Sequence, residues 1–185
     1  MSYSQMMQNA LARSLEKLML TIPLNKITVQ QIADDCGVTR HTFYNHFQDI
    51  YELLGWIYQT EIIEDLEKYR NYEGWKQGFL SVLRYTQDNK TICLNTFHSL
   101  GREHLEQFLF DVIYDVIIGV VNELAENMPV NDPAKQEVAD FYARAILAQT
   151  IQWLKAGAKT DPNEIVEKVS RIMDGNISRS LERYH

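Results

Sequence analysis

Apolar residues recur at intervals of three and four along almost the whole chain, the spacing of α-helices that turn one face to a core. Leu11, Leu15, Leu18, Met19 and Ile22 mark such a face in a first helix over residues 4–21, ended by Pro23 and the Leu24-Asn25-Lys26 turn. Two short helices joined by a tight turn follow within residues 28–47, TVQQIADDCGVTRHTFYNHF. Asp49 and Glu52 then form a D-x-x-E capping box that opens a longer helix to about Arg70, with Leu53, Leu54, Ile57, Tyr58, Glu61 and Ile62 on its inner side. Beyond Asn71 the pattern predicts helices at about 74–88, 91–99, 101–127, 134–157 and 163–182. Residues 108–124 are apolar on nearly every side and are expected to form the central buried helix of this region. The fold class is all-α, with no internal repeat and no low-complexity segment.

The stretch over residues 28–47 carries the most specific pattern. Thr28 caps the first short helix, with Gln31 as the reciprocal partner of a capping box. Ile32, Ala33 and Cys36 give that helix a small apolar stripe, and Gly37 stops it by supplying a left-handed residue. Val38 plugs the corner and Thr39 caps the second helix, in which Phe43 and Phe47 share the inner face. His41 and Asn45 then point outward, with Thr42 and Tyr44 on the flanks and the long stem of Arg40 able to reach the same side. An ordinary solvated helix side could have this composition. Behind a complete Gly37-Val38-Thr39 turn, a surface of Arg, His, Thr, Tyr and Asn is better read as a recognition helix for a major groove.

GVTRHTFYNHF, followed by the acidic cap and Leu53, resembles the third helix and fourth-helix entry of TetR-family transcriptional regulators. Their G-V-S/T-x-x-T-L/F-Y-x-H-F run follows an I-A-x-x-x-G helix, matched here by Ile32-Ala33 and Gly37. The match covers roughly residues 10–55, and HFQDIYELLGWIY further resembles a branch that includes regulators of dihydroxyacetone-kinase operons. The resemblance implies a helix-turn-helix head, residues 1–48, and a helical dimerisation and effector-binding body, residues 49–185. It implies a homodimer on a near-palindromic double-stranded DNA operator, acting as a repressor by steric occlusion, and relieved by a small-molecule or protein effector. By analogy Arg40, His41 and Asn45 face base edges, and Thr28, Thr42, Tyr44 and His46 face phosphates, His46 having an alternative role in packing. Lys26 and Thr39 complete the DNA-facing candidates. Family members often carry a phosphate-gripping lysine at the start of the fourth helix. Gln48 and Ile50 stand there in this chain.

For the body, the resemblance implies a dimer interface from the last two helices, through Phe141, Tyr142, Ala145, Ile146, Gln149, Trp153, Ile165, Val169, Ile172 and Met173. Periodicity alone shows two amphipathic helices that pack equally well inside one chain. An effector pocket would draw on Trp56, Trp75, Phe79, Tyr85, Phe97, His98, Phe108, Tyr114 and Trp153, aromatic walls mixed with polar tips that serve equally as core.

Charge changes this picture modestly. The 185 residues carry a net charge of −7, yet residues 1–50 are neutral, four basic residues against four acidic. The acidic excess, 21 against 14, belongs to the rest, which keeps the body off DNA and leaves the head only weakly attractive to phosphate. This balance admits a second reading, an acidic protein-binding adaptor with a vestigial head. Cys36 and Cys93 lie in apolar helical settings without CxxC spacing and read as small buried hydrophobes in a reducing cytoplasm. The first helix is amphipathic rather than a signal peptide, and no apolar run reaches the roughly 18 residues of a membrane span. Metal and catalytic chemistry find little purchase. His98 and His104 do not have the spacing of a zinc helix, and His41 and His46 point to different sides. Ser81 and Ser99 have no triad context, so neither an enzyme nor a cofactor is expected.

Overall fold

The computed structural model describes residues 3–61, 63 and 66–184, and no strand occurs among them. In chain order the helices are α1 (Tyr3–Met19), α2 (Val29–Asp35), α3 (Arg40–Tyr44), α4 (Ile50–Thr60), α5 (Trp75–Asp88), α6 (Lys90–Phe97), α7 (Arg102–Leu124), α8 (Asp132–Lys155), α9 (Pro162–Met173) and α10 (Asn176–Leu181). The chain divides into two units, residues 1–61 with 91–108, and residues 62–90 with 109–185. This division differs from a boundary at residue 48. Leu53, Leu54, Ile57 and Tyr58 on α4 are buried, as are Cys93 and Phe97 on α6 and Leu105 on α7, so these helices share a core with α1–α3.

In the first unit α1 packs on α2 and α4, burying Leu11, Leu15 and Met19, and α2 packs on α3. Phe43 is 0% exposed, a burial that contributes about 2–3 kcal/mol relative to leaving the ring in water. Polar groups inside are paired. Ser14 Oγ donates to the Ile32 carbonyl at 3.3 Å, and the Tyr58 and Thr96 hydroxyls meet at 2.9 Å, tying α4 to α6. Burial pushes the Cys93 thiol up to about 12, and Cys36 places its Sγ 3.4 Å from the Ala10 carbonyl; both cysteines are free.

The fourth helix does not run to Arg70. It ends at Thr60: Glu61 still donates its N–H to the Ile57 carbonyl at 2.9 Å but turns extended (φ −68, ψ 135), and the Thr60 hydroxyl adds bonds to the Trp56 and Ile57 carbonyls. Leu66–Tyr69 then form a 3-10 turn that packs on α5 in the second unit, a tertiary contact that overrides local helix propensity. Ile62, expected on the inner side of a longer helix, lies outside the described residues.

In the second unit α5 packs against α8 and α9, and α10 packs on α8. Leu109, Ile113, Val116, Ile117, Val120 and Val121 form the buried face of α7, but Phe110, Tyr114 and Ile118 are only half-buried. The helix is therefore buried on one face rather than all round. Its other face is partly roofed by Arg144, whose guanidinium lies 4.6 Å from the centre of the Phe110 ring. The last helical stretch is likewise broken. α9 stops at Met173, Gly175 takes a left-handed conformation (φ 75), and α10 starts again at Asn176. The turn lets Ile177 and Leu181 bury beside Tyr142, whose hydroxyl meets that of Ser180 at 3.1 Å.

Candidate nucleic-acid interface

The helix-turn-helix forms as its local chemistry dictates. Thr28 Oγ1 accepts from the Gln31 N–H at 3.3 Å while the Gln31 side chain accepts from the Thr28 N–H at 2.8 Å. At the other end of α2, Val38 N–H bonds the Ala33 carbonyl at 2.9 Å and Gly37 N–H the Asp34 carbonyl at 3.1 Å. This is a Schellman termination, and it needs the positive φ of 67 that Gly37 adopts. Thr39 Oγ1 then accepts from the Thr42 N–H at 3.2 Å and opens α3.

α3 is a short platform. Phe43 and Phe47 anchor it from below with ring centres 6.1 Å apart, and Phe47 lies 6.0 Å from Trp56 on α4. Arg40, His41, Tyr44 and Asn45 are exposed on the outer side, and Thr42 is half-buried. Arg40 and Tyr44 act as a pair: the guanidinium donates to the phenol oxygen at 3.4 Å and lies 5.8 Å from the ring centre. Thr39 is exposed, but its hydroxyl is committed to the cap and to Thr42 Oγ1 at 3.1 Å. His46 is half-buried in the turn after the helix. Lys26 and Thr28 are exposed at the entry to α2.

The charge around this surface is lean. Lys17 is paired with Asp35 at 2.5 Å, a bond that holds the Asp35 carboxyl below its usual range and takes the lysine out of the phosphate-facing set. The α4 N-terminus is filled by its own carboxylates, since Asp49 accepts from the Glu52 N–H at 2.8 Å and Glu52 accepts from the Gln48 N–H. Arg40, Lys26 and hydroxyl donors are left to meet the backbone. Asn95 on α6, to which sequence patterning gave no distinction, bonds the turn before Lys26 from 71 to 76 residues away.

The pocket candidates divide between the two units. Trp56, Phe97, His98 and Phe108 belong to the first unit, and Trp75, Phe79, Tyr85, Tyr114 and Trp153 to the second. Phe108 stacks 5.5 Å from Tyr58, Phe97 lies under Arg102, and His98 is exposed at the edge of Phe97. In the second unit Trp75 and Phe79 border a cavity of about 10 Å³ with Val82, Ile113, Val116, Ile117 and Ile146, room for about one water. Trp153 is buried with its indole N–H on the Thr160 carbonyl at 2.9 Å, and Tyr85 is half-buried on α5. Tyr114 borders an open groove of about 380 Å³ with Ile118, Asn122, Asp132, Lys135 and Gln136. Of the interface candidates, Tyr142, Ile146, Trp153, Val169 and Met173 are buried within the chain. Phe141 and Ile172 are 69% and 65% exposed, Ala145 and Gln149 are exposed, and Ile165 is half-buried.

The architecture and these motifs match known proteins. Residues 16–55 match the model of bacterial regulatory proteins of the tetR family, and residues 73–175 match that of a transcriptional regulator C-terminal region. The HTH-type dhaKLM operon transcriptional activator DhaS of Lactococcus lactis is 30% identical over 156 residues, covering 81% of this chain and 80% of that protein. Among solved structures, a dihydroxyacetone kinase operon activator DhaS superposes with a TM-score of 0.68 at 22% identity, over 98% of this chain and 99% of the other. FadR of Thermus thermophilus, a TetR-family repressor in complex with lauroyl-CoA, gives 0.65 at 16% identity, over 89% of this chain and 92% of the other. With its capped helix-turn-helix, its all-helical body and this kinship, the chain belongs to the TetR family of transcriptional regulators, in the branch that includes regulators of dihydroxyacetone-kinase operons.

Proposed function

We propose that this regulator acts as a homodimer that binds a near-palindromic operator through α3, with Arg40, His41 and Asn45 toward base edges and Lys26, Thr28, Thr42 and Tyr44 toward phosphates. The observation that carries the reading is the exposed Arg40–Tyr44 pair, set on a buried Phe43 behind a fully capped turn. Two such heads about 34–36 Å apart would meet successive major grooves. The exposed stripe of Phe141, Ala145, Ala148 and Gln152 on α8, together with exposed Ile172 on α9, supports a second copy as cover. No helix among the described residues is long and apolar enough to cross a membrane, and a reader of chromosomal DNA works in the cytoplasm.

Occlusion of a promoter gives repression. A second reading, activation, is favoured by the 30% identical relative, an activator by name. An effector would act by stabilising one of two states of the body. The cavity beside Trp75 and Phe79 has room for about one water, so a small molecule bound there would have to widen it, whereas a protein partner would meet the outer surface.

The test is selection from a random duplex pool, then anisotropy titration of the winner with Arg40→Ala and Tyr44→Ala. Each change is expected to cost about tenfold or more in affinity, 1.4 kcal/mol per tenfold, while helicity and dimer mass stay unchanged. A pool with no enriched sequence at low salt sinks the operator reading and moves the search to a protein partner of the acidic body. A promoter fusion with and without the regulator decides the sign.

A further inference from the structure

We infer that Asn95 of α6 is a positioning residue for the DNA-facing turn between α1 and α2, an inference that rests on the head's binding DNA. One side-chain amide closes three backbone groups there. Its Nδ2 donates to the Met19 carbonyl at 2.9 Å and the Ile22 carbonyl at 2.7 Å, and its Oδ1 accepts from the Leu24 N–H at 2.7 Å. Met19 ends α1, where carbonyls lose their helical partners. Leu24 opens the 3-10 turn Leu24–Lys26, and the residue before it is Pro23, which supplies no side-chain cap. Asn95 therefore serves as C-cap for one element and N-cap for the next, from a third helix.

The geometry admits only one orientation of the amide. Turned over, it would set two N–H donors against the Leu24 N–H and its oxygen against two carbonyls. An aspartate keeps the acceptor but points its charge at both carbonyls, and an alanine leaves all three groups open. With the clasp closed, Leu24 and Ile27 are buried and fix the turn from within, which leaves Lys26 and Thr28 exposed on its outer side. The same helix holds α4 through the 2.9 Å contact of Thr96 with Tyr58. The position of the phosphate-facing pair is thus set by α6 as well as by the helices that carry it.

The experiment uses the full chain and the duplex selected by the wild type, titrated over a range of salt. Asn95→Ala is expected to stay helical and dimeric, to bind about tenfold more weakly, and to lose about one unit of salt slope for each phosphate contact dropped. Lys26→Ala made on top of it is expected to add little, because the two changes remove one contact. Amide exchange at Leu24 should speed up in the free protein. Should Asn95→Ala fail to fold, Asn95→Asp is read in the same way. A folded variant with unchanged affinity and slope overturns the inference, as does full additivity with Lys26→Ala. A wild type that binds no duplex fails at the first titration and removes the DNA reading itself, a result separate from either.

Discussion

Glu16 is a half-buried acid on α1, and its carboxyl is held above its ordinary range by burial first and by the nearby Glu61 charge second, with Arg13 pulling the other way. A folded-state value raised above the unfolded one means that the ionised form costs stability. The cost is absent below the ordinary value of 4.5 and develops as pH rises through the shifted one. Glu16→Gln is accordingly expected to raise the melting temperature at pH 7 and to lose that advantage as pH falls toward 4.5, measured by thermal circular dichroism at both pH values. Asp35 runs the opposite way. Its lowered value, from the Lys17 bond first, contributes above the ordinary carboxylate range and is lost in acid. None of this was legible in the sequence, where Glu16 is one polar position of an amphipathic helix. By contrast the outward set Arg40, His41, Tyr44 and Asn45 was legible, because a helical step from buried Phe43 fixes which neighbours face water.

At the scale of elements, what could be read ahead was whatever is settled within a few residues. Thr28 with Gln31, Thr39 with Thr42 and Gly37 with Val38 are contacts of near neighbours, and each forms as its residue types require. The end of α4 was hidden, since no proline or glycine marks Glu61 and the Leu66–Tyr69 turn is drawn off by α5. The end of α9 was marked by Gly175, but the apolar rhythm of Val169, Met173 and Ile177 runs straight across it. These glycines allow a direct test. A Cβ at Gly37 meets nothing within 4 Å, so Gly37→Ala isolates the left-handed backbone penalty. The expected loss is about 1–2 kcal/mol, or a melting temperature lower by roughly 2–8 °C, with the α3 surface loosened and operator affinity reduced.

For the whole molecule, periodicity alone could not divide apolar faces between inside and outside. Ile146, Trp153, Val169 and Met173 looked like parts of an interface and are interior, because α9 lies on α5 and α10 folds back on α8. Of the large apolar candidates, Phe141 and Ile172 stay exposed. Phe141→Glu with Ile172→Glu should therefore leave the helical content intact and shift the sedimenting species from dimer to monomer. Operator affinity should fall far more than through any single head contact, since avidity between half-sites is lost. A variant that stays dimeric would place the seam elsewhere. The aromatics once grouped as a pocket divide between two units for the same reason: composition reveals aromatic content, and only packing decides which core receives it.

That division gives the protein built-in optical reporters. Of its three tryptophans, Trp56 is half-buried against Phe47 behind α3, whereas Trp75 and Trp153 are buried in the second unit. Emission that acrylamide quenches easily comes from the head, and emission that resists quenching comes from the body. A single unlabelled sample can thus reveal whether the two units melt together or in turn.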